Sequence, residues 1–412
     1  YYLVSRGDAL SHLESWSKNH AHPYNGIISS QRISEILKQL SMNKQLNFYR
    51  DWMSKVMESD YLCYDITSIS SYTESNEYVR YGYNRDHDPL KQINLAMLYG
   101  QKSKLPVFYQ RMPGSINDVR TLQNLLKNLS KLDFSRLHYV LDKGFYSKDN
   151  IDYLVEKKSH FTIAVPLKLK WVQESIDAIR DQIEHPDNLF KINEDILYFH
   201  SQIHYWGEEH RRCYLHLYYN PYIAAHETQS FNEKLLMWKS ELESGNTQVK
   251  NEEAYEKYFI VSKTAKQGLS VKYNEEEILK RRQKYSGFLP ILSCGIKDPI
   301  ESLTIYRNKD VVEKSFDNLK NQLDMKRLRI HSSASMDGRL FVQFIALVYM
   351  SYIRNKIQNS DLNQKYTVRE IIQEMESLCK ISYSGKRGAL YTVPTKLQKN
   401  ILDSFNINLS NS

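Results

Sequence analysis

Three acidic residues lie where a charged side chain needs an explanation. Asp65 interrupts the apolar stretch "YLCYDITSI" (61–69), Asp142 lies near the end of "LHYVLDKG" (137–144), and Glu313 adjoins an apolar helical face. A buried, unpaired carboxylate is costly or shifts its pKa. A strand-end cap or a salt bridge to a lysine would explain either aspartate alone. The three acids together favour a shared divalent metal site, because Mg²⁺ prefers carboxylate oxygens.

The stretch "YRNKDVVEKSFDNLK" (306–320) surrounds Glu313 with cations. Projected as a helix at roughly 100° per residue, it has an apolar stripe formed by Val312, Phe316, Leu319 and the following Leu323. A second stripe beside it carries Tyr306, Lys309, Glu313 and Lys320. Two metal ions about 4 Å apart would activate a water or a 3′-hydroxyl and stabilise the leaving oxygen of a phosphoryl displacement. Lys309 and Lys320 would then neutralise phosphates, and Tyr306 would donate a hydrogen bond.

A sheet must position these residues, and the sequence predicts one. Residues 33–56 have the apolar spacing of helices, after which the period changes to that of strands. The order that follows is β-β-β-α-β-α-β, with strands predicted at 61–69, 93–100, 105–112, 137–144 and 160–166 and helices at 117–132 and 147–158. Three meandering strands followed by αβ units describe a mixed α/β sheet with flanking helices.

The remaining chain predicts an insertion and two helical ends. Residues 188–295 contain strand-like segments and two predicted helices, at 231–244 and 274–285, which indicates a mainly β insertion domain. Asp298 and Pro299 predict the start of a helix after it. The expected organisation is a helical N-terminal region (1–58), the first part of the catalytic domain (59–168), the insertion domain (169–296), the completion of the catalytic domain with the Glu313 helix (297–355) and a helical C-terminal region (356–412).

The composition permits nucleic-acid binding without requiring it. The 412 residues carry 56 Lys and Arg against 48 Asp and Glu, a net charge of +8. The four cysteines are isolated, which predicts neither a disulfide framework nor a cysteine zinc site and suits a reducing cytosol. The longest apolar run (340–353) is too short to span a bilayer, so no membrane is implied. The chain begins with Tyr rather than Met, which is compatible with a missing N-terminal piece.

Other motifs have weaker cases. The loop "NRDHDP" (84–89) carries Asp86, His87 and Asp88, but no predicted strand positions them, which favours a solvated or DNA-facing loop. One predicted hairpin carries four possible zinc ligands, His200, His204, His210 and Cys213. Their spacing fits no standard zinc site, and alternation in a half-exposed sheet explains it. Trp206 and Trp238 are predicted to pack. No GxxxxGKS/T, GxGxxG or GxSxG motif occurs.

The ordered set of motifs resembles a known family, the DDE transposases of bacterial and archaeal insertion sequences. The similar stretches are "YDIT" with Asp65, "GYNRDHDPLKQINLAMLY" (82–99), "MPGSINDV" (112–119), "VLDKGFYSKDNIDYL" (140–154) and 306–320. More narrowly, they resemble the branch with a Tyr-x2-Arg-x3-Glu-x6-Lys signature and a β-strand insertion ahead of the catalytic Glu. Lys309 replaces the Arg of that signature, so it keeps the charge and loses the bidentate fork.

The resemblance implies an RNase H-like fold in which Asp65, Asp142 and Glu313 bind two Mg²⁺ ions, which Mn²⁺ can replace, and form the catalytic triad. It also implies DNA contacts from Tyr306, Lys309 and Lys320, and a homodimer that holds two inverted-repeat ends. Further basic residues near these motifs are candidate contacts to double-stranded DNA, namely Arg80, Arg85, Lys91 and, within "KRLRIH" (326–331), Lys326 and Arg327.

We therefore expect a metal-dependent DNA transposase of a prokaryotic insertion sequence, cytoplasmic and nucleoid-associated. It would hydrolyse a phosphodiester at each element end and join the freed 3′-hydroxyl to target DNA, by a cut-and-paste route with or without a hairpin. Two rivals are a transposase-derived DNA-binding protein that no longer cuts and a non-mobile RNase H-like nuclease. Asp65→Asn tests the first rival, and strand transfer of a pre-cut end tests the second.

Overall fold

The chain divides into two units, one formed by Tyr1–Phe161 with Arg307–Ser412 and the other by Thr162–Tyr306. The computed structural model describes residues 1–20, 22–24, 26–56, 61–73, 76–130, 132, 137–264, 268–283, 285–328, 330, 332–358, 360–382 and 389–409. Residues 57 and 58 of the predicted N-terminal region therefore lie outside the described residues, as do positions 329 and 331 of "KRLRIH".

Helices open the first unit, as the apolar spacing predicts. They are α1 (Tyr2–Ser5), α2 (Leu13–Ser17), α3 (Ser30–Gln39) and α4 (Met42–Val56). The Ser29 hydroxyl caps α3 by accepting a hydrogen bond from the Arg32 N–H. The helical spacing buries one face of each longer helix, with Ile33 and Leu37 in α3 and Tyr49 and Met53 in α4.

The sheet that follows has the predicted order of elements. These are β1 (Tyr61–Ser71), β2 (Gln92–Gly100), β3 (Pro106–Pro113), α5 (Asp118–Ser130), β4 (His138–Leu141), α6 (Lys148–Glu156) and β5 (His160–Ala164). Strands β1, β2 and β3 form an antiparallel meander, and β4 pairs with β1 in parallel. The strand order β3-β2-β1-β4, with these mixed directions, gives the mixed α/β sheet that the sequence predicts, in the RNase H-like arrangement that the family resemblance implies.

The second unit combines strands with more helices than the sequence indicates. Its elements are α7 (Lys170–Asp177), β6 (Leu189–Ile192), β7 (Asp195–Trp206), β8 (Arg211–Tyr219), α8 (Pro221–Ser244), α9 (Glu252–Tyr258), β9 (Phe259–Thr264), β10 (Gly268–Tyr273), α10 (Glu275–Gln283), β11 (Phe288–Cys294) and α11 (Pro299–Arg307), whose last residue belongs to the first unit. Strands β6, β7, β8 and β11 are antiparallel neighbours. Helix α8 starts at Pro221, well before the predicted residue 231, because Asn220 caps it and proline fits the first helical position.

The stretch 306–320 is not one continuous helix. Helix α11 ends at Arg307, α12 (Asp310–Asp317) begins after a turn, and a π-helical turn follows at Asn318–Gln322. The short polar side chains of Asn308 and Asp310 favour helix ends over helix interiors, so the helical projection is wrong at its beginning. Its apolar face is confirmed, because all four residues of that stripe are buried: Val312, Phe316, Leu319 and Leu323.

The rest of the first unit follows the π-helical turn in the chain. It contains β12 (Arg327–Leu328), α13 (Ser333–Ile357), α14 (Leu362–Lys365), α15 (Val368–Met375), β13 (Lys380–Ser382), β14 (Ala389–Tyr391) and α16 (Lys396–Ser404). Strand β12 pairs with the end of β1 in parallel. The apolar run 340–353 lies within α13, where Gln343 donates to the Leu323 carbonyl at 2.7 Å. Within the described part of the chain, no helix has both the length and the apolar character needed to cross a bilayer.

Candidate active site

Asp65 of β1 and Asp142, the residue after β4, come together where the two parallel strands stop pairing. The pairing of β1 with β4 ends at Tyr64 and Leu141, where β4 also ends, and Asp65 and Asp142 are the next residues in the chain after this pair. On the other side of β1, Asp65 is paired with Met97 of β2. The parallel register therefore brings together two acids that are far apart in the chain.

Glu313 approaches the aspartates through a shared cation. Helix α12 packs against β1 and β2, and the Ser315 hydroxyl donates to the Met97 sulfur at 3.6 Å, which fixes the helix over the strand pair. The Lys309 Nζ lies 3.4 Å from Asp142 Oδ1 and 3.9 Å from Glu313 Oε1. One ammonium group thus bridges an acid that follows β4 and an acid on the helix.

Asp65 is half-buried and its protonation is perturbed. Desolvation raises the pKa of Asp65 to about 6, and the charge of Asp142 adds to the rise. The Ile66 N–H donates to Asp65 Oδ1 at 2.8 Å, and the charges of Arg85 and Lys309 act in the opposite direction. Because these partners compensate the carboxylate only in part, an additional cation beside Asp65 would be favourable.

The three carboxylates do not form a closed metal cluster in this conformation. Among the described residues, no group of three or more His, Cys, Asp or Glu side chains is placed to hold a metal ion. Their chemistry nevertheless fits a hard divalent cation, because every donor is a carboxylate oxygen. The Lys309 ammonium stands between two of them, and the Glu313 side chain is 62% exposed and able to reorient. Asp65, Asp142 and Glu313 are therefore the residues that could hold a metal once Lys309 moves aside.

Two further basic candidates pair with acids from the loop between β1 and β2. The Lys320 Nζ lies 2.8 Å from Asp86 Oδ1 and 2.6 Å from Asp86 Oδ2. The Arg327 Nε donates to Asp88 Oδ2 at 3.1 Å. The Lys320 side chain is only 11% exposed, and that of Asp88 only 10%. The loop predicted as solvated or DNA-facing therefore has two acids in contact with the segment that follows α12, while Asp86, His87 and Pro89 are exposed.

Arg85 lies at the edge of the acidic site. Its Nη2 donates to Asp118 Oδ1 at 2.6 Å, and its charge lowers the pKa of Asp65. Asp118 lies at the start of the helix predicted at 117–132 and was not among the predicted site residues. The two residues of this ion pair are 33 positions apart, so no local pattern could have indicated it.

Four other residues predicted to contact DNA are Arg80, Lys91, Lys326 and Tyr306. Arg80 donates to the carbonyls of its own loop, and the Lys91 Nζ lies 5.5 Å from the centre of the Tyr81 ring. Lys326 is exposed. Tyr306 belongs to the second unit and is buried, with 8% of its surface exposed.

The residues of the possible zinc site contact different groups. The His204 ring stacks on Trp171 with centroids 4.6 Å apart, and His210 lies edge-on to Tyr205 at 6.3 Å. Trp206 and Trp238 are in packing positions, since Trp206 is 7% exposed and Trp238 stacks on Tyr258 at 5.9 Å.

Comparison with known proteins adds family evidence to this geometry. Residues 58–349 match the family model of the transposase DDE domain. Among solved structures, the chain is similar to piggyBac transposase in a cryo-EM synaptic complex with hairpin DNA, with 12% identity and a TM-score of 0.41 over 100% of this chain and 75% of that chain. It is also similar to Mos1 transposase in a paired-end complex with the left transposon end, with 16% identity and a TM-score of 0.18 over 34% of this chain and 44% of that chain. No curated protein sequence matches.

Proposed function

The chain belongs to the transposase DDE domain family, and we propose that it is the transposase of a prokaryotic insertion sequence. It hydrolyses a phosphodiester at each end of the element and joins the freed 3′-hydroxyl to target DNA. The working form is a homodimer that holds two inverted-repeat ends of double-stranded DNA. The narrower assignment, to the branch with the Tyr-x2-Arg-x3-Glu-x6-Lys signature, is supported by the spacing of Tyr306, Lys309, Glu313 and Lys320.

One observation carries this proposal. Asp65 of β1 and Asp142, directly after β4, follow the last pair of two parallel strands, and Lys309 links Asp142 to Glu313 on the helix that packs over β1. Three acids from three distant parts of the chain have no structural reason to be close, because like charges repel and desolvation of Asp65 is unfavourable. A polynucleotidyl transferase needs such a group of acids.

Asp65, Asp142 and Glu313 would hold the divalent metal ions, with Mg²⁺ as the natural ion and Mn²⁺ as a substitute. When bound, two such ions supply activation of the attacking hydroxyl and stabilisation of the leaving oxygen. Lys309 then leaves its position between Asp142 and Glu313 and neutralises a phosphate near the cut. As a lysine it acts as a point charge and not as a bidentate clamp. Lys320 and Arg327 bind phosphates further along the strand.

The test uses a plasmid that carries the DNA flanking this gene on both sides, because the element ends lie there. Wild-type protein should nick this plasmid in Mg²⁺ or Mn²⁺ and transfer a pre-cut end into a second plasmid. Asp65→Asn should lower the nicking rate at least about 10²–10³-fold and leave DNA affinity within twofold. Asp51→Asn, which removes the same charge from an exposed position on α4, is the matched control and should cut normally.

The outcomes also separate the rival functions. Wild-type protein that binds the flanking DNA and never nicks it would be a transposase-derived binding protein. Wild-type protein that nicks but transfers no pre-cut end would be a nuclease. Either result would overturn the proposal.

A further inference from the structure

The two basic residues after α12 are both paired with carboxylates of the same loop. Lys320 binds both carboxylate oxygens of Asp86, and Arg327 binds Asp88. The two acids are separated by one residue and face two cations that lie more than two hundred positions later in the chain. Two neighbouring phosphates of a DNA backbone would present a similar pair of negative charges to these two basic side chains.

The loop that carries these acids is held in place by hydrogen bonds to the sheet. Asn84 Oδ1 accepts from the N–H groups of Asp86 at 2.8 Å and Asp88 at 3.4 Å, and Asn84 Nδ2 donates to the Ser70 hydroxyl oxygen of β1 at 3.1 Å. His87, between the acids, has φ 56°, in the left-handed region that few non-glycine residues adopt. The backbone conformation therefore fixes where the two carboxylates lie.

Asp88 is ionised in this arrangement. Desolvation raises its pKa, but hydrogen bonds from Ser70 and Arg327 outweigh this effect, so that the pKa of Asp88 lies below its ordinary value. Its side chain is 10% exposed, and that of Arg327 is 47% exposed. The guanidinium group can therefore be reached from solvent while its internal partner is covered.

We propose that the segment 84–88 is a built-in phosphate mimic, in which Asp86 and Asp88 occupy the phosphate-binding positions of Lys320 and Arg327 until a DNA backbone displaces them. This inference rests on the proposed function, because it assigns these cations to DNA. Any duplex must compete with two internal carboxylates at these positions. DNA that offers only phosphates therefore binds weakly, and DNA that makes further contacts is favoured.

The alternative role for the same acids is to orient the two cations for DNA. The two roles predict opposite changes in DNA affinity when the acid is removed. If Asp86 orients Lys320, Asp86→Asn weakens DNA binding. If Asp86 competes with phosphate, the same substitution strengthens it, because the carboxamide keeps the shape of the side chain and removes the charge.

The experiment measures binding of a random-sequence duplex of about 30 base pairs by fluorescence anisotropy, in EDTA and at several salt concentrations. Asp86→Asn and Asp88→Asn are each expected to tighten binding about three- to tenfold, in proportion to the ion pair removed. Asp51→Asn controls for the change in net charge and should alter the affinity less than twofold. A phosphate that binds the unpaired cation releases a counterion condensed on the DNA, and in the variant no displaced carboxylate takes one up in exchange. The slope of log affinity against log salt should therefore steepen by about 0.9.

A double substitution tests whether the change in DNA affinity comes from the ion pair between Asp86 and Lys320. In the Lys320→Gln background, Asp86→Asn should no longer tighten binding beyond the Asp51→Asn control. Asp88→Asn tests the second pair independently, in case Asp86→Asn does not fold. Equal or weaker affinity of both loop variants relative to Asp51→Asn would overturn the inference. Tighter binding by the loop variants, combined with a wild-type protein that never nicks DNA, would leave the inference intact and overturn the proposed function. Absence of DNA binding in every variant would overturn both.

Discussion

Two strands of this protein each carry a titratable side chain inside a sheet, Asp65 in β1 and His216 in β8. Desolvation disfavours the charged form of both, since it raises the pKa of Asp65 to about 6 and lowers the pKa of His216 to about 4. Their surroundings differ. His216 has a partner at each ring nitrogen, the Ser201 hydroxyl at 2.9 Å and the Ile296 carbonyl at 3.3 Å. Asp65 faces a second carboxylate and a lysine that other acids share.

The comparison separates two uses of a buried titratable group. A group whose hydrogen-bonding capacity is filled by neutral partners contributes to packing and to a unique fold. A carboxylate beside a like charge and a displaceable cation is suited to bind another cation. We therefore assign His216 a structural role and Asp65 a chemical one. Substitutions at the two sites should change different measured quantities.

The largest effect is expected for a substitution of Glu313, on the rate at which the protein cleaves DNA. Glu313→Gln removes one of the carboxylates proposed to bind the metal ions, so DNA cleavage per folded molecule should fall by about 10²–10³-fold or more. Because the side chain is 62% exposed, the free energy of unfolding should change by less than about 0.5 kcal/mol. Plasmid nicking and urea unfolding measure the two quantities. Cleavage within tenfold of wild type would remove Glu313 from the active site.

His216→Ala should show the reverse pattern. The substitution leaves a cavity and removes the partner of Ser201 and of the Ile296 carbonyl, so the free energy of unfolding should fall by about 2–4 kcal/mol. Cleavage per folded molecule should be unchanged. A variant as stable as wild type, or one that folds fully and cuts slowly, would show that the two sites do not differ as argued.

Lowering the pH should reduce the contribution of His216 to the free energy of unfolding. Its pKa is about 4 in the folded protein and about 6.5 in the unfolded chain. The unfolded state therefore binds more protons between these values, so the stability that neutral His216 provides is complete above pH 6.5 and declines as the pH falls toward 4. The stability difference between wild type and His216→Gln should shrink by about 1.4 kcal/mol per pH unit in this window. A difference that does not vary with pH would contradict the burial of a neutral ring.

The smallest effect is a gain in stability. The pKa of Asp65 is higher in the fold than the ordinary value, so ionisation at pH 7 destabilises the metal-free protein. Asp65→Asn keeps the acceptor for the Ile66 N–H and should raise the free energy of unfolding by about 1 kcal/mol in EDTA. This gain should shrink as the pH falls from 6 toward 4, where wild-type Asp65 becomes protonated. A loss of stability at pH 7 would mean that Asp65 is structurally required.

Local patterns account for most of the first unit. The period-2 stretches at β1, β2 and β3 and the 3.6-period stretch at α5 have the structures that their spacing predicts. Asp65 and Asp142 could be identified because a charged residue is unusual within a predicted apolar strand. Such contradictions are visible in the sequence alone.

Partners distant in the chain were not predictable in this way. Asp86 and Lys320 are 234 positions apart, and neither position has a local pattern that names the other. The break at Asn308 was missed because helical projection assumes a continuous helix and takes no account of residues that favour helix ends. The early start of α8 depends on a single cap, Asn220, which lies between a strand and a helix of weak amphipathic pattern.

The most direct test of the account is the position of manganese. Crystals of the protein with element-end DNA and Mn²⁺, measured at the manganese absorption edge, should give an anomalous peak about 2.1 Å from carboxylate oxygens of Asp65 and Asp142. Lys309 should have left its position between Asp142 and Glu313. Manganese bound elsewhere, with Lys309 still between Asp142 and Glu313, would contradict the assignment of this site.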